Sequence, residues 1–316
     1  METLRLKYGT FACAIAIGAV SLGSGCRRSE EPLPYSFEAR PSTTIESSIQ
    51  GQVAATTADM LYVLTAENQG SGTDLKLRMS HNGGDTFGAP VAVSPTEATV
   101  AGGGENGPSL YAKGMNVYAL WQQRTGDEPA VIALGRSANM GASFEAPAIV
   151  SDKPASDASF SGFASLGVAP NGDVYAVWLD GRDSALNPPG TYSVYLARSR
   201  DRGKTFEKNV RVAAHACPCC RPSLTFGENG HVYVSYRKVS DEGERDIAVA
   251  TSSDGQNFSE PVRVGEDHWK IEACPEAARR WLMRAACCTS PGSARRERRA
   301  CGWPFPRTKG ARFRQR

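Results

Sequence analysis

A chain of 316 residues, 41% of them hydrophobic, is long enough for one large or two ordinary cores, and its 32 glycines and 19 prolines favour many turns. The formal charge of +3 hides an uneven distribution: residues 277–316 carry 12 basic residues and one acid, Glu297, whereas residues 1–276 carry 24 basic and 32 acidic residues, a net of −8. An acidic body excludes nucleic acid as an expected partner.

In chain order, the first element is an export signal over residues 1–25: Arg5 and Lys7, an apolar run over 11–22, then small residues up to Cys26. The run is too short to span a bilayer permanently. Gly23-Ser24-Gly25-Cys26 resembles a bacterial lipobox, with Leu22 one place too far from the cysteine. That resemblance implies lipidation of Cys26 and a membrane anchor in the bacterial cell envelope, on its periplasmic or surface side; ordinary signal cleavage near Gly25 is the alternative. Residues 26–48, polar and proline-containing, read as a tether.

From residue 49 the chain is periodic. Ser199-Arg200-Asp201-Arg202-Gly203-Lys204-Thr205-Phe206 has earlier copies at Ser80–Phe87 and Ser137–Phe144, with Asn82 and Asn139 in the acidic place. A shorter copy starts at Ser252 with Asp254, so the four copies lie 57, 62 and 53 residues apart. In such a turn the Asp or Asn oxygen accepts backbone N–H bonds, Gly takes positive φ, and Phe folds under as a private piece of core. Upstream of each copy runs a β-branched, aromatic strand centred on Tyr62, Tyr118, Tyr175 or Tyr233, at intervals of 56, 57 and 58 residues. Third strands are expected at 75–79, 131–135, 194–198 and 247–251, and fourth strands at 90–94, 147–151, 210–213 and 261–264. Four antiparallel strands per repeat of about 57 residues predict an all-β propeller over residues 49–276. A sandwich, the alternative, would not repeat the whole four-strand unit.

These turns are the Asp-box, and residues 49–276 resemble the bacterial-neuraminidase-repeat, or sialidase-like, β-propeller family. The resemblance implies six four-stranded blades in an intact member, of which four are complete here, with structural Asp-boxes on the face away from any active site. It also implies a glycoside hydrolase of exo-α-sialidase type, or a binder of a glycan or glycoconjugate, with no cofactor and no metal. The alternative is a non-catalytic scaffold for a protein partner in the cell envelope.

After Cys274-Pro275 the pattern stops. Back-translated with CGN for arginine, a shifted frame over residues 280–292 permits Leu-Ala-Asp-Ala-Arg-Gly-Val-Leu-Tyr-Val-Ala-Trp, and over 305–313 it permits another Asp-box, both at the repeat spacing. Residues 277–316 thus read as an out-of-frame basic tail replacing a fifth blade, with an ordinary disordered tail as the other reading. Four blades cannot close a six-blade ring, so open strand edges and poor solubility are expected.

On the resemblance, the active face is built by the loops at 122–129, 180–191 and 237–246 and by those leading into first strands, 94–107, 151–162, 213–221 and 265–276. A sialidase needs three Arg for a carboxylate, a Tyr nucleophile polarised by Glu, and an Asp acid. Candidates on these loops are Arg124, Arg182, Arg221 and Arg237, with Asp180, Asp183, Asp246, Glu244 and Tyr192; for any one of them a solvated loop charge is the bland reading. The family's Phe/Tyr-Arg-Ile-Pro motif is absent, and Arg221-Pro222-Ser223-Leu224 is its nearest likeness. Cys217, Cys219, Cys220 and Cys274 fall on two such loops. Export favours one or two disulfides among them over zinc, which would recruit His215 or His268 at a spacing that fits no common zinc pattern.

Overall fold

The computed structural model describes residues 48–70, 72–264 and 268–270. The expected signal, Cys26, the tether up to residue 47, Cys274 and the basic tail lie outside the described residues. Every described strand pairing is antiparallel, and no α-helix occurs among the described residues. Strands β1 (Ser48–Ala55), β2 (Leu61–Asn68), β3 (Thr73–Ser80) and β4 (Val91–Ala92) form one sheet in that order. In the second sheet β6 (Ser109–Lys113), β7 (Asn116–Thr125), β8 (Val131–Ser137) and β9 (Ala148–Ile149) pair in sequence, while β5 (Ala98–Val100) pairs with the far end of β7.

The third unit comprises β10 (Ser161–Val168), β11 (Val174–Asp180), β12 (Tyr192–Ser199) and β13 (Val210–Ala216). The fourth comprises β14 (Ser223–Phe226), β15 (Val232–Val239), β16 (Arg245–Ser252) and β17 (Val262–Arg263). A single bridge, Ala216 to Lys238, joins these two units into one sheet. The second strands and three of the third strands outrun their expected bounds at the loop end, whereas three fourth strands shrink to two residues. Prolines at positions 90, 147 and 261 precede those short strands, and a short outer strand limits the unpaired edge it presents.

Period-two alternation explains where the cores lie. On β7, Val117, Ala119 and Trp121 face the first unit and pack with Tyr62, Leu64, Leu75 and Leu77. Tyr118 and Leu120 face the third unit and meet Val174, Ala176 and Trp178. On β11 the opposite residues, Tyr175, Val177 and Leu179, pack against Val232, Val234 and Tyr236 of β15. Each core is therefore shared by consecutive units.

The Ser-x-Asx turns have the expected hydrogen bonds. Gly203 N–H donates to Ser199 Oγ at 2.7 Å, Thr205 N–H to Asp201 Oδ1 at 2.9 Å and the Thr205 hydroxyl to Asp201 Oδ2 at 2.6 Å. Asn82 and Asn139 accept from the Thr86 and Ser143 amides in the same way. The apolar part of the turn is not private. Phe144, Phe206 and Phe258 each pack into the core shared with the preceding unit. A Cβ on Gly203, already at φ +85, would lie 2.6 Å from Leu134 and 3.3 Å from Tyr118 of that unit. A turn hydrogen bond contributes about 1 kcal/mol net, and a fully buried Leu or Val roughly 1.5–3 kcal/mol. The shared cores thus dominate, and the turns dock one unit on the last.

Candidate functional site

In each unit the turn between first and second strands and the Ser-x-Asx turn lie at one end of the sheet. The loops between second and third strands, and those leading into first strands, lie at the other. At that loop end, positions one repeat apart converge. Arg221 donates through Nη1 to the Ala164 carbonyl at 2.8 Å and through Nη2 to the Gly107 carbonyl. Residues 107, 164 and 221 are spaced by 57, and Gln50, one further repeat back, packs where a Cβ on Gly107 would overlap it. Small residues at two of these positions leave room for the arginine, whose donors are directed at main-chain carbonyls.

Asp180, the last residue of β11, is fully buried. It accepts from Trp178 Nε1 at 2.7 Å, from Ser161 Oγ at 3.1 Å, and from Arg182 through its backbone N–H, Nε and Nη2, each at 3.0 Å. Arg182 also reaches Asp152 Oδ1 at 2.6 Å and Asn209 Oδ1 at 3.1 Å, and lies 4.2 Å over the Tyr195 ring. Asp152 and Asn209, again 57 residues apart, exchange two bonds: Asp152 N–H to Asn209 Oδ1 at 2.8 Å and Asn209 N–H to Asp152 Oδ2 at 2.9 Å. Burial works against the charge of Asp152, but hydrogen bonds from Arg182 and the Asn209 amide outweigh it and hold the carboxyl below its usual range. Burial likewise opposes the charge on Arg182, and its bonds to Asp180 and Asp152 reverse the effect, raising its pKa. The fork of Arg182 is committed to these acids. A general acid must reach substrate, and Asp180 has no exposed surface.

The remaining candidates are spread around the loop end. Arg124, exposed near the end of β7, lines an open groove with Thr99, Ala101, Gln122, Gly126 and Ala130. Tyr192, the first residue of β12, stacks on Phe160 with ring centroids 5.1 Å apart. Asp183 accepts the Tyr195 hydroxyl at 2.9 Å and the Ser193 hydroxyl at 3.0 Å. The Arg237 guanidinium lies 4.7 Å over Trp269, with its Nε buried. Glu244 and Asp246 share Arg263, and His268 approaches Glu244 at 3.1 Å. These three ligand types converge, yet Arg263 already supplies the positive charge a cation would bring.

Cys217, Cys219 and Cys220 bring their sulfurs within 4.8 Å of one another. Cys219 is disulfide-bonded, and Cys217 and Cys220 are thiols, so neither is its partner. A sulfur held in a disulfide does not serve as a thiolate ligand. Asp152, Asn209 and the convergence at Arg221 were not singled out in the sequence. Their common spacing of 57, equal to the repeat, is the signal that would have found them.

No protein-family model matches the chain, and no curated protein matches it. Among solved structures it is similar to a Penicillium chrysogenum α-L-arabinanase complexed with arabinobiose, at 14% identity and TM-score 0.50, over 70% of this chain and 67% of that one. It is also similar to a Dyadobacter fermentans protein of unknown function, at 15% identity and TM-score 0.48, over 67% of this chain and 63% of that one. A Trypanosoma rangeli sialidase in complex with the inhibitor DANA aligns at 15% identity and TM-score 0.47, over 69% of this chain but 38% of its own length. The likeness to the arabinanase shows the fold alone: antiparallel all-β, similar to a β-propeller.

Proposed function

We propose that this chain is a sialidase-like, Asp-box propeller that binds a carboxylate-bearing glycan at its loop end without hydrolysing it. One observation carries the reading: the guanidiniums offered for a carboxylate clamp are engaged elsewhere, Arg182 by Asp180 and Asp152, and Arg221 by main-chain carbonyls. Arg124 differs, being exposed beside an open groove with Gln122. A guanidinium there suits a carboxylate. The arabinobiose held by the similar arabinanase supports carbohydrate as the ligand class. In this reading four blades stand in a ring meant for six, residues from about 277 on are out of frame, and Cys26 anchors an exported protein to the cell envelope.

The test is titration of the full chain with sialyl, uronate-containing and neutral oligosaccharides, beside a fluorogenic sialoside assay. Saturable binding of an acidic oligosaccharide, weakened at least about tenfold by Arg124→Ala, a loss on the scale of one charge-assisted contact, is expected with no turnover. Release of the fluorophore would establish the hydrolase instead. Absence of binding to every oligosaccharide would leave the protein-scaffold reading in its place.

A further inference from the structure

At the end of the sheets that carries the Ser-x-Asx turns, away from the Arg124 groove, the cleft between the second and third units opens into a cavity of about 620 Å³, the size of a small-molecule pocket. Tyr111 and Tyr118 line it with ring centroids 6.4 Å apart, and Val168 and Pro170 of the third unit add apolar surface. Three cations line it, Lys113, Arg136 and Arg202, and no acid does. Such a lining stands out in a body whose residues 1–276 carry a net charge of −8.

Arg136 is left under-bonded. It is nine-tenths buried, its Nη1 pairs with the exposed Glu145, and its Nε is buried with no hydrogen-bond partner, a condition that folded proteins rarely leave unexplained. The equivalent arginine one unit on shows the closed alternative. Arg198, like Arg136 the residue before the Ser of its turn, donates Nε to Glu207 at 2.8 Å and Nη1 to the Asp254 carbonyl at 2.6 Å. That carbonyl comes from the fourth unit's turn, which is one residue short. The full-length turn of the third unit instead places Arg202 at the cavity, at φ 61, a left-handed position where the first unit has Gly83. Among the described residues neither Arg202 nor Lys113 is held in an ion pair. Burial raises the pKa of Tyr118 against the pull of the Arg136 and Arg202 charges, so its phenol stays neutral beside them.

We propose that this cleft is a second binding site, for a monosaccharide-sized ligand bearing an oxyanion, with Arg136 and Arg202 taking the anionic group. Guanidinium donors match the geometry of a carboxylate or a phosphate, and Lys113 adds charge at the same cavity. The Tyr111 hydroxyl and the Asn116 and Asn171 amides line it as well; such groups both donate and accept, as sugar hydroxyls require. The Tyr111 ring, Val168 and Pro170 cover the carbon body of the ligand. A neutral sugar leaves the guanidiniums unanswered, and a bare inorganic anion leaves the apolar wall uncovered. The site lies on the face of the turns and is independent of any glycan held at the loop end.

The test is calorimetric titration of the full chain with glucuronate, glucose 6-phosphate, glucose and sodium sulfate, paired with hydrogen-exchange mass spectrometry to locate the ligand. At least one of the two anionic sugars should bind saturably and slow amide exchange in the turns at 113–116 and 170–173, and which of them binds tells carboxylate from phosphate. Glucose should do neither. Arg202 is exposed, and Asn tolerates its left-handed backbone, so Arg202→Asn should keep the fold. It should weaken binding roughly tenfold, the scale of one charge-assisted hydrogen bond. Arg124→Ala, which disables the loop-end groove, should leave the protection of these turns unchanged. Absence of protection with both anionic sugars, equal protection by glucose, binding of sulfate as tight as that of the sugars, or an Arg202→Asn variant that binds like the wild type would each overturn the proposal.

Discussion

The third and fourth units carry the same strand plan, but among the described residues only the third is covered on both faces. Along β11 every residue is buried, and its run Val-Tyr-Ala-Val-Trp-Leu is apolar throughout. Along β15 buried Val232, Val234 and Tyr236 alternate with half-buried Tyr233, Ser235 and Arg237. The outward side of the fourth unit presents Tyr233, Ile247, Val249 and Val264 around a shallow apolar depression, and Val262 and Val264 are mostly exposed. On the first unit the corresponding outward side is occupied by charge: Glu67, nearly buried, pairs with Lys76 at 3.2 Å and with Arg78. One terminal face is finished with ions, and the other retains the chemistry of an interior face. That difference teaches that the burial of a strand here follows what lies against it, and that its residue types follow suit.

Breaking the polar joint of the covered unit should have the largest effect. Asp180→Ala removes the acceptor of Trp178 Nε1 and the bidentate partner of Arg182, leaving a desolvated guanidinium only partly paired by Asp152. Loss of one member of a buried pair costs about 3–5 kcal/mol. The urea midpoint should fall accordingly, and a shift of less than about 1 kcal/mol, the value of an exposed pair, would mean that this joint is solvated.

Equivalent positions sharpen the comparison at a smaller scale. Measured from Ser199 and Ser252, Leu196 of β12 matches Val249 of β16. Leu196 is fully buried between the units, whereas Val249 looks outward. Leu196→Ala should cost about 2–5 kcal/mol, but Val249→Ala at a half-covered site should cost less than about 1 kcal/mol, a fraction of its transfer energy. Equal losses in urea unfolding would show that something covers the outward face in solution.

Much of this was legible from particular residues. The tyrosines at 62, 118, 175 and 233 announced the second strands, because β-branched and aromatic runs fit a pleated, packed surface. The Ser-x-Asx-x-Gly turns announced themselves because few residues accept that backbone. What the sequence concealed was partnership. Arg182 and Arg221 look alike in a loop, and only the fold reveals that Asp180 and Asp152 claim the first and carbonyls of two other units claim the second. Three of the fourth strands are shorter than expected because their apolar alternation continues past the two residues that find hydrogen-bond partners. Strand β5 was missed because three residues beside a glycine-rich loop carry too little alternation to register.

The smallest expected effect again separates the units, this time by acid. Burial slightly opposes ionisation of Asp201, but hydrogen bonds from Thr205, Ser199 and the Lys204 amide outweigh it and lower its pKa from 3.8 to about 2. In the fourth unit, Asn257 and Gln256 hold Asp254 lower still. A carboxyl with a depressed folded pKa contributes stability that is complete above its unfolded value and is lost as pH falls through the folded value. The Asp201 turn should therefore loosen between about pH 4 and pH 2, and the Asp254 turn below that. The first and second units carry Asn82 and Asn139 in the same place, with the same amide acceptance and nothing to titrate. Both turns are exposed and screened, so the readout is local. Amide exchange at Gly203 and Thr205 should accelerate with acid relative to Gly84 and Thr86, once corrected for the intrinsic pH dependence. Asp201→Asn should make the two turns respond alike, because it converts the third unit's turn into the chemistry already present in the first.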